Sequence, residues 1–216
     1  MPHASYEHIA VDVAGFVATI EVRRGPNNFI DTDMVGEIAD ALEEFDRTSD
    51  VRTIVLCSEG KHFCAGADFG SRGPDGVAKA AKRGRHLYKE AQRLWRSGKP
   101  IVAAVHGSAI GAGVGLAVMA DFRVTCPEAR FSTNFTRLGF HPGFGLTASL
   151  PRLIGEQQAA ADAVRVGRGA EDGDRFRPEE PMQGMSRHAR PPSSPPSCGR
   201  GVLTISWQRA GDRERS

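Results

Sequence analysis

The chain has 216 residues, 40% of them apolar, and its 28 basic and 26 acidic side chains give a formal net charge of +2. At about 150 residues per domain, this length suits one α/β domain with a sizeable core. The near-neutral charge argues against a nucleic-acid-binding arm, a polybasic membrane anchor or an acidic tail along the whole chain.

Cysteine usage and the N-terminus bear on the cellular compartment. The four cysteines form no CxxC pair, so neither a disulfide framework nor a zinc knuckle has a local signature. The first residues, MPHASYEHIAVDVAGF, lack a basic segment followed by an apolar run, which a secretory signal would have. We therefore expect a reducing, cytoplasmic location.

Hydrophobic spacing predicts strands that alternate with helices. Apolar residues alternate with polar ones through 9–13 and 16–22, on either side of Gly15, which predicts a β-hairpin. From Asp31 the apolar spacing changes to three and four residues, which predicts an amphipathic helix. The remaining predicted elements are a strand at 51–57, a helix at 77–96, a strand at 101–105, a helix at 112–120 and a strand at 122–124. This alternation is typical of a layered α/β fold.

The stretch from Ile101 to Ala120 has no formally charged residue, and its length would span a bilayer. It nevertheless contains four glycines, a single leucine, and the polar His106 and Ser108 near its middle. A buried strand followed by a tightly packed helix accounts for this composition better than a membrane span does.

The composition changes near Arg165. All five lysines precede that residue, whereas the segment after it is rich in Arg, Pro, Gly and Ser and loses its hydrophobic periodicity. Such a segment cannot bury enough apolar surface to offset its chain entropy. We therefore expect a core at 1–164 and an extended or poorly packed tail at 165–216. A change of reading frame in GC-rich coding sequence and a genuine basic linker or tail both fit this composition.

Two glycine-containing loops could present backbone N–H groups to a ligand. The first, HFCAGAD at 62–68, leaves a predicted strand, and its small residues permit close approach. The second, HGSAIGAGVG at 106–115, leads from a strand into a helix whose first N–H groups are free and favoured by the helix dipole. Facing each other, the loops would make a two-donor oxyanion hole. The spacing of the second loop departs from GxGxxG, which disfavours a nucleotide-binding oxidoreductase.

Together with ARFSTNFTRLGFHPGFGLTASLPRLIG, these loops closely resemble the enoyl-CoA hydratase/isomerase (crotonase) family, over residues 9–163. The resemblance implies a ββα superhelix, an acyl-CoA ligand, no cofactor beyond the coenzyme A of the substrate, and a homotrimer or dimer of trimers. The tail resembles none of the family's C-terminal helices, so we expect weakened trimerisation and a more open pocket. Neither a nucleic acid nor a membrane span is expected.

The resemblance also assigns site residues. Ala67 and Ala112 would supply the two N–H groups that stabilise an enolate. The residues matched to coenzyme A contacts are Arg23, Arg24, Ala65, Gly66, Ala67, Asp68, Phe69, Gly70 and Gly111. The two arginines could equally be solvated surface side chains, and Asp68 could equally anchor its loop.

Two departures from the family concern proton transfer. The positions of the hydratase glutamates are occupied by Gly115 and Phe135, and neither side chain can take a proton. His141 lies where related acyl-CoA enzymes often place an acid, and a histidine can transfer protons near neutral pH, although a hydrogen-bonded loop histidine is the alternative. We expect a lyase or isomerase of this family with weak water addition. A non-catalytic acyl-CoA-binding or scaffold protein of the same fold is the alternative.

Overall fold

The computed structural model describes residues 5–68, 86–164 and 204–206. The strands in these residues are β1 Ile9–Ala14, β2 Val17–Val22, β3 Thr53–Ser58, β4 Ile101–Val105, β5 Ser108–Ile110, β6 Phe122–Thr125, β7 Arg130–Ser132 and β8 Thr204–Ser206. The helices are α1 Thr32–Asp46, α2 Leu87–Leu94, α3 Ala112–Val118, α4 Leu146–Ile154 and α5 Glu156–Val164, with a 3₁₀ turn at Thr136–Leu138.

The main sheet has the strand order β1-β2-β3-β4-β6-β8, and β5 pairs with β7 in a second, two-stranded sheet. The hairpin of β1 and β2 is antiparallel, whereas β2, β3, β4 and β6 run parallel to one another. Because β3 and β4 are parallel neighbours, the loops that follow them leave the same edge of the sheet. This topology brings the two glycine-containing loops together.

The predicted α/β class is confirmed, and so are the hairpin and the strand Ile101–Val105. The uncharged stretch divides into β4, β5 and the buried helix α3, as expected for a strand and packed helix. No helix within 5–68, 86–164 or 204–206 is long and apolar enough to cross a membrane. Part of the predicted helix at 77–96 lies outside the described residues, and the described part is α2, which begins at Leu87. The expectation for the tail also falls outside them, apart from β8, which pairs antiparallel with β6.

A charge cluster joins α1 to α2. The mostly buried guanidinium of Arg93 on α2 binds Asp40 and Glu43 of α1 at 2.6 and 2.7 Å, and Glu90 of its own helix at 2.5 Å. The hydrogen bond from Arg93 lowers the pKa of Glu43 below its ordinary value. This cluster fixes α2, which in turn borders the groove described below.

We expect Arg93→Met to lower the free energy of unfolding by about 3 kcal/mol, because it removes the cation that three carboxylates share. A carboxyl group with a lowered pKa adds stability above its ordinary pKa of 4.5, and this contribution is lost as the pH falls through the lowered value. Urea unfolding below pH 4.5 should therefore show a steeper loss of stability in the wild type than in the variant. The exposed Arg96 provides the control, since Arg96→Met should leave both the stability and its pH dependence nearly unchanged.

Candidate functional site

The loop after β3 is held by a buried asparagine. The Asn28 side chain is fully buried, and its Nδ2 donates to the carbonyl oxygens of Glu59 and His62, each at 2.8 Å. Its Oδ1 accepts a 3.0 Å hydrogen bond from the backbone N–H of Arg24. Asn28 thus ties the end of β2 to the first glycine-containing loop. The sequence pattern gives no sign of this role, because the two carbonyl partners of Nδ2 lie about thirty residues away.

Backbone hydrogen bonds fix the orientation of the Ala67 N–H. The Ile30 N–H donates to the Gly66 carbonyl oxygen at 2.7 Å, and the Asp68 N–H donates to the Ile30 carbonyl oxygen at 2.9 Å. In a trans peptide the C=O and N–H point in opposite directions. Because the Gly66 carbonyl points toward Ile30, the Ala67 N–H points away from it. Within the described part of the chain, this N–H has no hydrogen-bond acceptor.

The two glycine-containing loops lie against each other. The Cys64 N–H donates to the Ser108 carbonyl oxygen, and the Ile110 N–H donates to the Cys64 carbonyl oxygen, both at 2.9 Å. A Cβ added at Gly113 would lie 2.3 Å from the Cys64 carbonyl oxygen, so only glycine permits this approach. The structure therefore brings together the loops that carry Ala67 and Ala112.

The start of α3 leaves two N–H groups without an internal acceptor. Gly111 has a φ of +53°, and its N–H donates to the Ser132 carbonyl oxygen at 2.7 Å. The N–H groups of Val114 and Gly115 both bond to the Gly111 carbonyl oxygen. Among the residues that the structure describes, the N–H groups of Ala112 and Gly113 have no acceptor. Ala112 and Ala67 thus each offer an N–H from adjoining loops.

A phenylalanine covers the next turn of α3. A Cβ added at Gly115 would lie 2.6 to 2.9 Å from the Cδ1, Cβ and carbonyl oxygen of Phe144. Phe144 is buried and has a φ of +53°. The Phe135 ring lies near Gly111, at the other end of the same turn. Of the two positions matched to the hydratase glutamates, Gly115 thus packs against an aromatic ring, and the other is itself a phenylalanine, Phe135.

An open groove of about 590 Å³ lies between α2, the loop 141–145 and α4. The exposed His141 lines it, together with Tyr88, Trp95 and Arg152. Phe144 lines the same groove and packs on Gly115, so it separates α3 from this space. The structure thus places His141 on the groove, in a different segment from the N–H pair of Ala67 and Ala112.

The two arginines predicted to contact coenzyme A differ in their surroundings. Arg23 is 54% exposed and pairs with Glu21 at 2.6 Å. The Arg24 guanidinium instead binds Asp31 at 2.7 Å and Asp68 at 3.0 Å. The predicted contacts Phe69 and Gly70 fall outside the described residues, while Ala65, Gly66 and Gly111 lie in the two adjoining loops.

Neither thiol nor metal chemistry is suggested by the described side chains. Burial raises the pKa of the Cys64 thiol to about 12, which keeps it protonated and a poor nucleophile at neutral pH. Within residues 5–68, 86–164 and 204–206, no three His, Cys, Asp or Glu side chains gather into a group that could hold a metal ion. Among the described residues of the two loops, the Ala67 and Ala112 N–H groups are donors that lack an acceptor and could serve a ligand.

Comparison with known proteins places these features in a family. The family model described as enoyl-CoA hydratase/isomerase matches residues 13–173. A probable enoyl-CoA hydratase of Mycobacterium tuberculosis, EchA14, is 36% identical over 73% of this chain and 62% of its own length. The 1,2-epoxyphenylacetyl-CoA isomerase of Escherichia coli is 32% identical over 73% of this chain and 62% of its own. The chain thus spans less than two thirds of the length of these relatives.

Solved structures show the same fold. A structure of an enoyl-CoA hydratase subunit from Geobacillus kaustophilus is 34% identical, with a TM-score of 0.66, and the match covers 76% of this chain and 63% of that one. The family model, which matches residues 13–173, includes both loops.

Proposed function

This chain belongs to the enoyl-CoA hydratase/isomerase family, and from that premise we propose that it binds an acyl-CoA thioester whose carbonyl oxygen accepts hydrogen bonds from the Ala67 and Ala112 N–H groups. The observation that carries the proposal is the pair of N–H groups on adjoining loops, neither of which has an acceptor within the described residues. Donors aimed at a carbonyl oxygen stabilise the negative charge that develops there in an enolate, and each is worth about 10²–10³ in rate.

The coenzyme A part of the ligand would lie along these two loops. We assign Ala65, Gly66, Asp68 and Gly111 to its path, with Phe69 and Gly70 as further contacts. The exposed Arg23 is suited to a coenzyme A phosphate, because its guanidinium has one carboxylate partner and faces solvent. We propose no cofactor other than coenzyme A itself, a cytoplasmic location, and a trimer weakened by the altered tail.

The reaction that suits this site is enolate chemistry with little water activation. Gly115 and Phe135 supply no proton-transfer group, and Phe144 fills the space beside Gly115. His141 is kept as the candidate acid or base named from the sequence, although Phe144 separates the groove that His141 lines from α3. Relatives are named as hydratases and as an isomerase, so we assign the coarser activity, a lyase or isomerase acting on an acyl-CoA. A non-catalytic acyl-CoA-binding or scaffold protein is the second candidate, favoured by the same missing glutamates.

Crotonyl-CoA distinguishes these functions. We expect it to raise the melting temperature of the protein, while its hydration, followed by the absorbance of the enoyl thioester, is about 10²–10⁴-fold slower than in relatives that keep both glutamates. Binding with no hydration at all would favour the scaffold. Hydration as fast as in those relatives would contradict the proposal that this site activates water poorly. Coenzyme A alone is the control that separates acyl recognition from nucleotide recognition.

A further inference from the structure

The Arg24 side chain lies beside the β-bridge between Ile30 and Ala67, whose hydrogen bonds orient the Ala67 N–H. Its guanidinium donates to the Phe29 carbonyl oxygen and binds the carboxylates of Asp31 and Asp68. Phe29 and Asp31 flank Ile30, whereas Asp68 follows Ala67 on the other side of the bridge between Ile30 and Ala67. One side chain therefore connects both chain segments of this bridge.

We propose that Arg24 is a positioning residue, which fixes the direction of the Ala67 N–H by holding the segment 29–31 against Asp68. This inference rests on the proposed function, which gives the Ala67 N–H its task. Gly66 has a φ of +100°, in a region that glycine enters freely, so the peptide between Gly66 and Ala67 needs external restraint. The bond from the Ile30 N–H to the Gly66 carbonyl supplies this restraint, and Arg24 holds both sides of that bond in place.

The surroundings of Arg24 are unsuited to a phosphate of coenzyme A. Its guanidinium already faces two carboxylates, and the Arg24 side chain is only 22% exposed. A phosphate approaching it would meet the negative charge of Asp31 and Asp68. Asp31 is itself fixed, because its Oδ1 accepts a 2.8 Å hydrogen bond from the Met34 N–H at the start of α1. Arg24 thus links the first turn of α1 to the loop that carries the donor.

The direct test is the stretching frequency of the thioester carbonyl of bound crotonyl-CoA, labelled with ¹³C and measured by difference infrared spectroscopy. Donation by the two N–H groups lowers this frequency in the wild type. We expect Arg24→Met to lose the part of that downshift that the Ala67 N–H supplies, with the part from the Ala112 N–H remaining, and to keep the wild-type dissociation constant for coenzyme A. Arg24→Lys, which can keep one ion pair, should recover part of the downshift. The adjacent Arg23→Met is the matched control, and it should keep the downshift while weakening coenzyme A binding.

Amide hydrogen exchange of the 65–68 segment provides a readout that needs no acyl-CoA. We expect faster exchange in Arg24→Met and in Asp68→Asn, which keeps the size of the side chain and removes its charge, but not in Arg23→Met. If Arg24→Met and Asp68→Asn both kept the wild-type amide exchange rates and the wild-type carbonyl frequency, the proposal would be overturned. So would weakened coenzyme A binding by Arg24→Met with an unchanged downshift. A wild-type complex without any downshift would instead contradict the proposed function, and the exchange data would still decide the role of Arg24.

Discussion

Ala112→Pro is expected to slow the reaction of a bound acyl-CoA by about 10²–10³-fold, because it removes one of the two N–H donors to the carbonyl oxygen. The substitution deletes a single hydrogen-bond donor and keeps the backbone path. Initial rates with crotonyl-CoA, taken at enzyme concentrations high enough to follow slow hydration, measure the effect. The downshift of the thioester carbonyl frequency should decrease in the same variant.

The fold should tolerate this proline. Ala112 is the first residue of α3, where proline is favoured because the N–H there has no partner within the helix. Gly111, which precedes it, has no Cβ to clash with the proline ring, and its φ of +53° and ψ of −114° mirror the extended conformation that usually precedes proline. Ala112→Gly is the matched control, since it removes the methyl group and keeps the N–H. Equal rates and equal carbonyl frequencies in these two variants would show that the Ala112 N–H is not a donor to the ligand.

The second large effect is expected at Gly115. Helix propensity alone would make Gly115→Ala stabilising by about 0.5–1 kcal/mol. We expect instead a destabilisation of about 1–3 kcal/mol, because the added Cβ would lie 2.6 to 2.9 Å from Phe144 atoms that include its backbone oxygen. Gly115→Glu should be less stable still, since its carboxylate would be placed against an aromatic ring. Restoring this glutamate should therefore fail to restore hydration.

Urea unfolding of both variants measures the loss, with crotonyl-CoA hydration assayed in parallel. Gly98→Ala is the control, because a Cβ there would be 3.9 Å from its nearest neighbour, Asp46 Oδ1. Its stability should stay within about 0.5 kcal/mol of the wild type. A Gly115→Glu protein with wild-type stability and rapid hydration would mean that Phe144 does not fill the space beside Gly115.

Local patterns in the sequence were enough to predict the elements that frame the site. The hairpin and α1 follow from apolar periodicity, and β4 from a short uninterrupted apolar run; both signals depend on a few neighbouring residues. The three-residue strands β5 and β7 were not predicted, because each is too short to show a period and exists through pairing with the other. The helix α4 was also missed, since Pro151 lies inside it.

The site itself depended on contacts between distant residues. The free N–H groups could be expected from the two loops, but the packing of Phe144 on Gly115 joins positions about thirty residues apart and has no local signal. The same holds for Arg24, whose bond to Asp68 spans 44 residues. Sequence alone made Arg23 and Arg24 equivalent, whereas the structure gives them different partners and different exposure.

A crystal structure of the protein with a bound acyl-CoA tests the central claim most directly. We predict that the thioester carbonyl oxygen lies about 2.7–3.1 Å from the backbone nitrogens of both Ala67 and Ala112. A thioester carbonyl bound away from these nitrogens, for example in the groove beside His141, would contradict it.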